Sequence, residues 1–213
     1  MSDSQLSTPE PIPEAESATA PVRKRPKPGE RRVQILQALA TMLEQPGAER
    51  ITTAALAARL EVSEAALYRH FASKAQMFEG LIEFIEHSVF TLVNQIAERE
   101  SAGSTQAAKV VTMLLQFAEK NPGMTRVMVG DALVFENDRL QQRMNQFFDK
   151  IEATLRQSLR GSDTDGSATP SADAQVKASM LTSFAVGRLQ RFARSGFRRM
   201  PSEHLEASLA QML

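Results

Sequence analysis

Apolar residues along this chain recur at helical spacing, and nowhere do they alternate with polar ones as a half-buried strand requires. Val33, Leu36, Leu39, Ala40 and Leu43 share one face, and the pattern stops before Pro46-Gly47, which predicts a first helix. Two short helical segments follow Ile51. A long helix then starts at Ser73 and runs to about Glu100, where Ser101-Ala102-Gly103-Ser104 breaks it. Its inward stripe is Met77, Phe78, Leu81, Ile82, Ile85, Val89, Leu92 and Ile96. The rest of the chain predicts helices over 105–120, 122–135, 137–160, 172–196 and 202–212. There is no internal repeat, and the expected fold class is all-α.

Two stretches stand outside this periodicity. Residues 1–29 are rich in Pro, Ser, Glu and Ala with few large apolar groups, too few to offset the entropy of ordering, and are expected to be a disordered tail. Gly161 to Ala172, GSDTDGSATPSA, has the composition of a mobile loop between two helices. The expected organisation is a tail over 1–29, a small helical unit over 30–74 and a larger helical unit over 75–213.

Composition narrows the classes. The 213 residues are 42% hydrophobic, which suffices for a core, yet no run approaches the roughly 20 apolar residues of a membrane span and no signal-peptide block is visible. With no cysteine, disulfides, thiolate metal sites and thiol nucleophiles are excluded, and a cytoplasmic location is expected. Formal net charge is zero, but position matters more than the sum. Asp3, Glu10, Glu14 and Glu16 come first, then Arg23, Lys24, Arg25, Lys27, Arg31 and Arg32 against Glu30, so a basic arm leads into the first helix.

The informative stretch is Ile51 to Lys74, ITTAALAARLEVSEAALYRHFASK. Thr52 or Thr53 caps a helix that turns Leu56, Ala57 and Leu60 inward, and its alanines allow a second helix to approach closely. Glu61-Val62-Ser63 forms the turn, with Ser63 as the next cap. The helix that follows, of about seven residues, is too short to stand alone and must be held by Leu67 and Phe71. Its other face is then presented outward. Ala65 and Ala66 leave it slim enough for the major groove, while Tyr68, Arg69 and His70 supply donors at the groove edge. Lys74 places a cation in the first turn of a helix capped by Ser73, against the helix dipole, and a bound phosphate would resolve that conflict. The order of cap, small-residue helix, turn, cap, short helix and lysine describes a helix-turn-helix.

A single short recognition helix reads few bases, so a homodimer on double-stranded DNA is expected. The proposed dimer stripe is Leu181, Phe184, Ala185, Arg188, Leu189 and Phe192, with Gly187 permitting close approach and Leu205, Leu209 and Met212 joining from the last helix. On the long helix, Phe84 and Phe90 lie off the core stripe, either as a partner surface or packed on a neighbouring element.

The run VSEAALYRHFASKAQMFEGLI resembles the signature of TetR-type regulators, in which an N-terminal three-helix domain binds DNA and C-terminal helices dimerise. The similarity extends over roughly residues 30–200, through SEAALYRHF, LIEFIE, NPGMTRVMVGDALVFENDRLQQRMNQ and IEATLRQSLR, to the nucleoid-occlusion members of that family. Glu61 departs from it, standing where a turn glycine is common; a left-handed conformation there would cost about 1 kcal/mol. The resemblance implies a nucleoid-associated inhibitor of cell division that antagonises the tubulin-like protein FtsZ. It places DNA contacts on Thr52, Thr53, Ser63, Ala65, Ala66, Tyr68, His70 and Lys74, and a partner surface on Phe84, Lys120 and Asn121.

Two other classes compete. A ligand-responsive repressor would use Met113, Phe117, Met124, Met128, Phe135 and Phe147 as a pocket, although Met and Phe at helical spacing are more often core. No cofactor and no small-molecule ligand are expected. An enzyme finds no support: His70, His87 and His204 lack metal-ligand spacing, no phosphate-cradling glycine motif occurs, and Asp131, Glu136 and Asp138 are best read as solvated helix-start acids.

Overall fold

The structure is a computed structural model that describes residues 29–45, 50–160 and 170–213. The expected tail up to residue 28, with the basic cluster from Arg23 to Lys27, and residues 161–169 of the loop expected over 161–172 lie outside the described residues; the remaining positions, 170–172, are helical. Those residues form α1 (Glu30–Leu43), α2 (Thr53–Arg59), α3 (Glu64–Tyr68), α4 (Lys74–Arg99), α5 (Gly103–Lys120), α6 (Pro122–Met128), a single 3-10 turn (Asp131–Leu133), α7 (Asp138–Arg160), α8 (Pro170–Arg194) and α9 (Leu205–Met212). The fold is all-α. Among the described residues no helix is long and apolar enough to cross a membrane.

α1, α2 and α3 pack beside the start of α4, while α5, α7 and α8 form the main helical layer behind them. One hydrophobic cluster runs from Ile35 of α1 through Phe78 and Ile85 of α4, Leu114 of α5 and Phe147 of α7 to Leu209 of α9. α7 contributes Leu140, Met144, Phe147, Ile151, Leu155 and Leu159, a row at i+3 and i+4 spacing that lies flat against α8 and α5. Phe147 is fully buried, and its ring meets Phe90 at 5.6 Å and Phe148 at 5.1 Å, both edge-on. Burying a ring of this size contributes about 2 kcal/mol, and each edge-on pair about 1 kcal/mol more.

Several sequence expectations shift by a residue or two. On α1, Val33 is exposed and Ile35 takes its place in the core with Leu39 and Leu43. On α4, Leu92 is exposed and Val93 buried, because the inward row follows the i, i+4 line Leu81, Ile85, Val89, Val93. The helix expected over 122–135 ends at Met128, since Gly130 turns left-handed at φ 85 and redirects the chain into the 3-10 turn. Val134 and Phe135 then emerge into solvent. Of the two off-stripe aromatics, Phe90 packs on α7 and only Phe84 remains exposed.

α6 is the joint between the two ends of the molecule. It packs against α1 on one side and α8 on the other, and at the first contact Gly123 lies so close that a Cβ would sit 1.9 Å from the Ala40 carbonyl oxygen. Thr125, fully buried, donates its hydroxyl proton to the Ala118 carbonyl at 2.9 Å and fixes the α5–α6 corner. Because the obstacle at Gly123 is backbone, no rotamer change can relieve it. Gly123→Ala is expected to destabilise the fold by about 3 kcal/mol, read as a fall in Tm on the order of 10 °C in a calorimetric melt.

Candidate DNA-binding face and partner surface

Three successive N-caps build the DNA-binding corner. Thr52 accepts the Ala55 N–H at 3.1 Å, Ser63 the Ala66 N–H at 3.3 Å and Ser73 the Gln76 N–H at 3.2 Å. Thr52 is therefore the cap of α2, which resolves the choice left open between it and Thr53. Between α2 and α3 the chain closes a Schellman turn: the Glu61 N–H reaches the Ala58 carbonyl at 3.1 Å and the Val62 N–H the Ala57 carbonyl at 3.0 Å. Glu61 occupies the left-handed position at φ 53, where a glycine would be unstrained.

α3 is five residues long, shorter than the sequence pattern suggested. Leu67 and Phe71 anchor it and are both 1% exposed. Arg32 of α1 completes the anchorage, with its guanidinium 4.1 Å from the Phe71 ring centroid and donating to the His70 carbonyl. By sequence Arg32 belongs to the basic arm, and no local pattern signals a partner 38 residues away. With α3 pinned from behind, Ala65 and Tyr68 are exposed and Ala66 is half-buried at the rim. Thr53 is not free on this face. Its hydroxyl donates to Glu64 Oε2 at 2.6 Å and accepts from Tyr68 Oη at 3.5 Å, so three side chains of α2 and α3 share one network.

Lys74 stands at the edge of the same face, and its ammonium is already engaged. It forms an ion pair with Glu136, in the loop that follows the 3-10 turn, and lies 5.7 Å from the Phe78 ring centroid. The cation at the start of α4 thus has a carboxylate partner within the chain, and Glu136 is not a merely solvated acid. Two further ion pairs continue along α4. Glu79 meets Arg139 at 2.5 Å, and Arg143 donates to both carboxylate oxygens of Glu86, from Nη2 at 2.6 Å and from Nε at 3.3 Å. The Glu86 hydrogen bond raises Arg143 above its ordinary pKa against the opposing effect of burial.

Phe84 is 48% exposed on the outer side of α4. Lys120 is exposed in the last turn of α5, the helix packed beside α4. Asn121 is half-buried and donates its side-chain amide to the Phe117 carbonyl at 2.7 Å, closing the end of α5. Of the six Met and Phe positions weighed as an effector pocket, Met128 and Phe147 are fully buried, Met113, Phe117 and Met124 pack against the core, and Phe135 points to solvent. An open cleft of about 490 Å³ lies elsewhere, at the far end of α4, lined by Asn94, Gln106, Thr154 and Gln157 among others.

The expected dimer stripe divides between buried and partly open positions. Leu181, Ala185, Leu189 and Phe192 are each buried to 1% exposure or less inside one chain, and Leu205 and Leu209 are nearly so. α8 turns that row onto α7 and α5. Phe184 and Arg188 sit at the margin, with the Arg188 guanidinium 4.8 Å from the Phe184 ring centroid and reaching Ser208 of α9 at 3.3 Å. The open side of α8 carries Val176, Met180, Ser183 and Gly187, and around Gly187 the space for a side chain is empty.

Comparison with known proteins agrees with this architecture. Residues 35–81 match the model of bacterial regulatory proteins of the tetR family, and residues 103–213 match the tetracyclin repressor-like, C-terminal domain of SlmA-like type. The chain is 51% identical over 177 residues to the nucleoid occlusion factor SlmA of Idiomarina loihiensis, covering 83% of this chain and 90% of that protein. It is 52% identical over 178 residues to the factor of the same name from Photobacterium profundum, with coverages of 83% and 90%. Among solved structures it shares the fold of the fatty acid degradation regulator FadR from Bacillus halodurans, with a TM-score of 0.69 at 11% identity over 88% of this chain and 97% of that one. A transcriptional regulator from Rhodococcus gives 0.68 at 20% identity, covering 85% and 92%. The chain belongs to the TetR family of bacterial regulators, in its branch of SlmA nucleoid occlusion factors.

Proposed function

We propose that this protein is a nucleoid occlusion factor that binds dispersed chromosomal sites as a two-fold dimer and, while bound, antagonises assembly of FtsZ over the nucleoid. It works in the cytoplasm and acts by binding, not by catalysis. The observation that carries the DNA-binding part is α3, a five-residue helix anchored from behind by Leu67, Phe71 and Arg32 with its alanine side turned outward. A helix so supported can enter a major groove without rearranging, and Ala65 and Ala66 let it lie deep and touch a thymine methyl. The donors of Tyr68, His70 and Lys74, with the capping hydroxyls of Thr52 and Ser63, stand around it and suit phosphate oxygens that set the register.

The division-control part is supported by the identity of about half the positions with nucleoid occlusion factors across most of the chain. A solvent-facing aromatic also lies on α4, away from the DNA-binding corner. An exposed Phe on a rigid helix, with Lys120 on the helix beside it, suits a partner segment that combines apolar and acidic groups. For dimerisation the open side of α8 is the surface of choice. Val176 and Met180 supply apolar area, and Gly187 allows helices to approach closely.

Mapping bound sites across the genome tests the reading as a whole. Dispersed sites that avoid the terminus region are expected, and a few promoter-proximal sites would replace it with gene regulation. Ala65→Leu is expected to leave the melting temperature unchanged and to weaken site-specific DNA binding at least tenfold in a fluorescence-anisotropy titration, because the added bulk keeps α3 out of the groove. Phe84→Ala is expected to retain DNA affinity while losing inhibition of FtsZ sedimentation in the presence of site DNA. Met180→Glu places a charge at the centre of the α8 surface; light scattering is expected to show monomers, with specific DNA affinity reduced by two orders of magnitude or more.

A further inference from the structure

The DNA-binding corner ends at Lys74, and Lys74 is held by a residue 62 positions farther along the chain. Glu136 belongs to the loop between the 3-10 turn and α7, which packs against the regulatory helices, and its side chain is 10% exposed. Lys74 is 26% exposed, so its ammonium faces Glu136 on one side and solvent at the DNA-facing rim on the other. The other cations along this seam, Arg139 and Arg143, have their own carboxylates in Glu79 and Glu86. Phe78 contributes a ring face on the inner side of Lys74. The Lys74–Glu136 pair is the member of this series that touches the proposed DNA-binding face.

We propose that Glu136 competes with the DNA backbone for Lys74, so that a carboxylate in the regulatory domain sets the DNA affinity of the helix-turn-helix. This inference rests on Lys74 lying at the DNA face, as read above. In the free protein the ammonium is neutralised within the chain and contributes no net positive charge to incoming DNA. A phosphate can take the ammonium only by displacing or sharing the Glu136 carboxylate, which is then left weakly solvated beside a polyanion. Affinity is thereby held below what the same surface would give with Lys74 free. The exchange also loosens the tie that Glu136 makes from this loop to α4, and that loop carries the exposed Val134 and Phe135. DNA binding and the position of these two side chains are therefore linked, and linkage is reciprocal: a partner that drew the loop away from α4 would strengthen DNA binding.

The test is a double-mutant cycle of Glu136→Gln and Lys74→Gln in the full chain. Binding is measured to a mixed-sequence duplex of about three helical turns across a series of salt concentrations, with melting temperatures recorded for each variant. Glu136→Gln is expected to tighten binding about three- to tenfold at low salt and to steepen the log–log salt slope by about 0.9, the signature of one more phosphate contact. Adding Lys74→Gln is expected to abolish both gains. A Glu136→Gln variant that binds as the parent does, or more weakly, overturns the competition. If Lys74→Gln changes neither affinity nor slope in either background, Lys74 does not touch DNA, and it is the underlying placement that fails. Should the Gln variant melt below the assay temperature, Glu136→Ala is read by the same criteria.

Discussion

A helix of five residues cannot hold itself in water, because nucleation is unfavourable and too few hydrogen bonds follow to offset it. The DNA-binding corner is organised around that constraint. Leu67 and Phe71 pull α3 onto the core, Ser63 closes its first turn, and Arg32 reaches from α1 to take the carbonyl that its last turn leaves exposed. Even the unfavourable backbone of Glu61 fits this scheme. A left-handed residue there costs about 1 kcal/mol, but it closes both bonds of the Schellman turn and so fixes the angle between α2 and α3.

What holds α3 must in turn be held, and α4 does this by belonging to both ends of the molecule. Its 26 residues span about 39 Å, beginning beside the DNA-binding turn and ending against α5 and α7. Met77, Phe78 and Leu81 near its start share one hydrophobic cluster with Ile85, Val89 and Val93 farther along, so no apolar seam separates the DNA-binding part from the rest. Lys74–Glu136, Glu79–Arg139 and Glu86–Arg143 run along one side of it. Pairs this exposed stabilise by about 1 kcal/mol or less each, so their effect is better understood as fixing how α7 and its preceding loop lie along α4.

Features governed by neighbours in sequence were legible before the structure. The caps at Ser63 and Ser73, the anchoring by Leu67 and Phe71 and the long helix after Ser73 all follow from side chains within a turn or two of one another. Features governed by distant neighbours were not. Val33 and Ile35 are both β-branched and apolar, and only the position of α6 and α4 decides which faces inward. On α8 the apolar stripe was legible, but periodicity identifies a buried face without saying what buries it: Leu181, Ala185, Leu189 and Phe192 are covered within the chain, while Phe184 and Arg188 stay at the margin. Lys74 was recognised as a cation in an unfavourable place, yet its partner lies 62 residues away and no spacing rule reaches that far. The engagement of Thr53 with Glu64 and Tyr68 was missed for the opposite reason: the residues are close, but hydroxyl and carboxylate at such positions ordinarily face water.

The burial of this α8 row within the chain bears on how DNA spacing would be set. If the buried row joined the subunits, dimerisation and folding would be one event, and the gap between recognition helices would depend on how two cores merged. With that row filled by α7 and α5, each chain carries its own core, and the proposed contact between copies falls to Val176, Met180 and the open backbone at Gly187. The path from this surface to α3 then runs through close contacts only: α8 on α6, Gly123 of α6 on the Ala40 carbonyl, and α1 through Arg32 to the end of α3. Packed interiors transmit displacement with little loss. Two recognition helices joined by such a path have a separation fixed by geometry, which is what reading two half-sites about one helical turn apart requires.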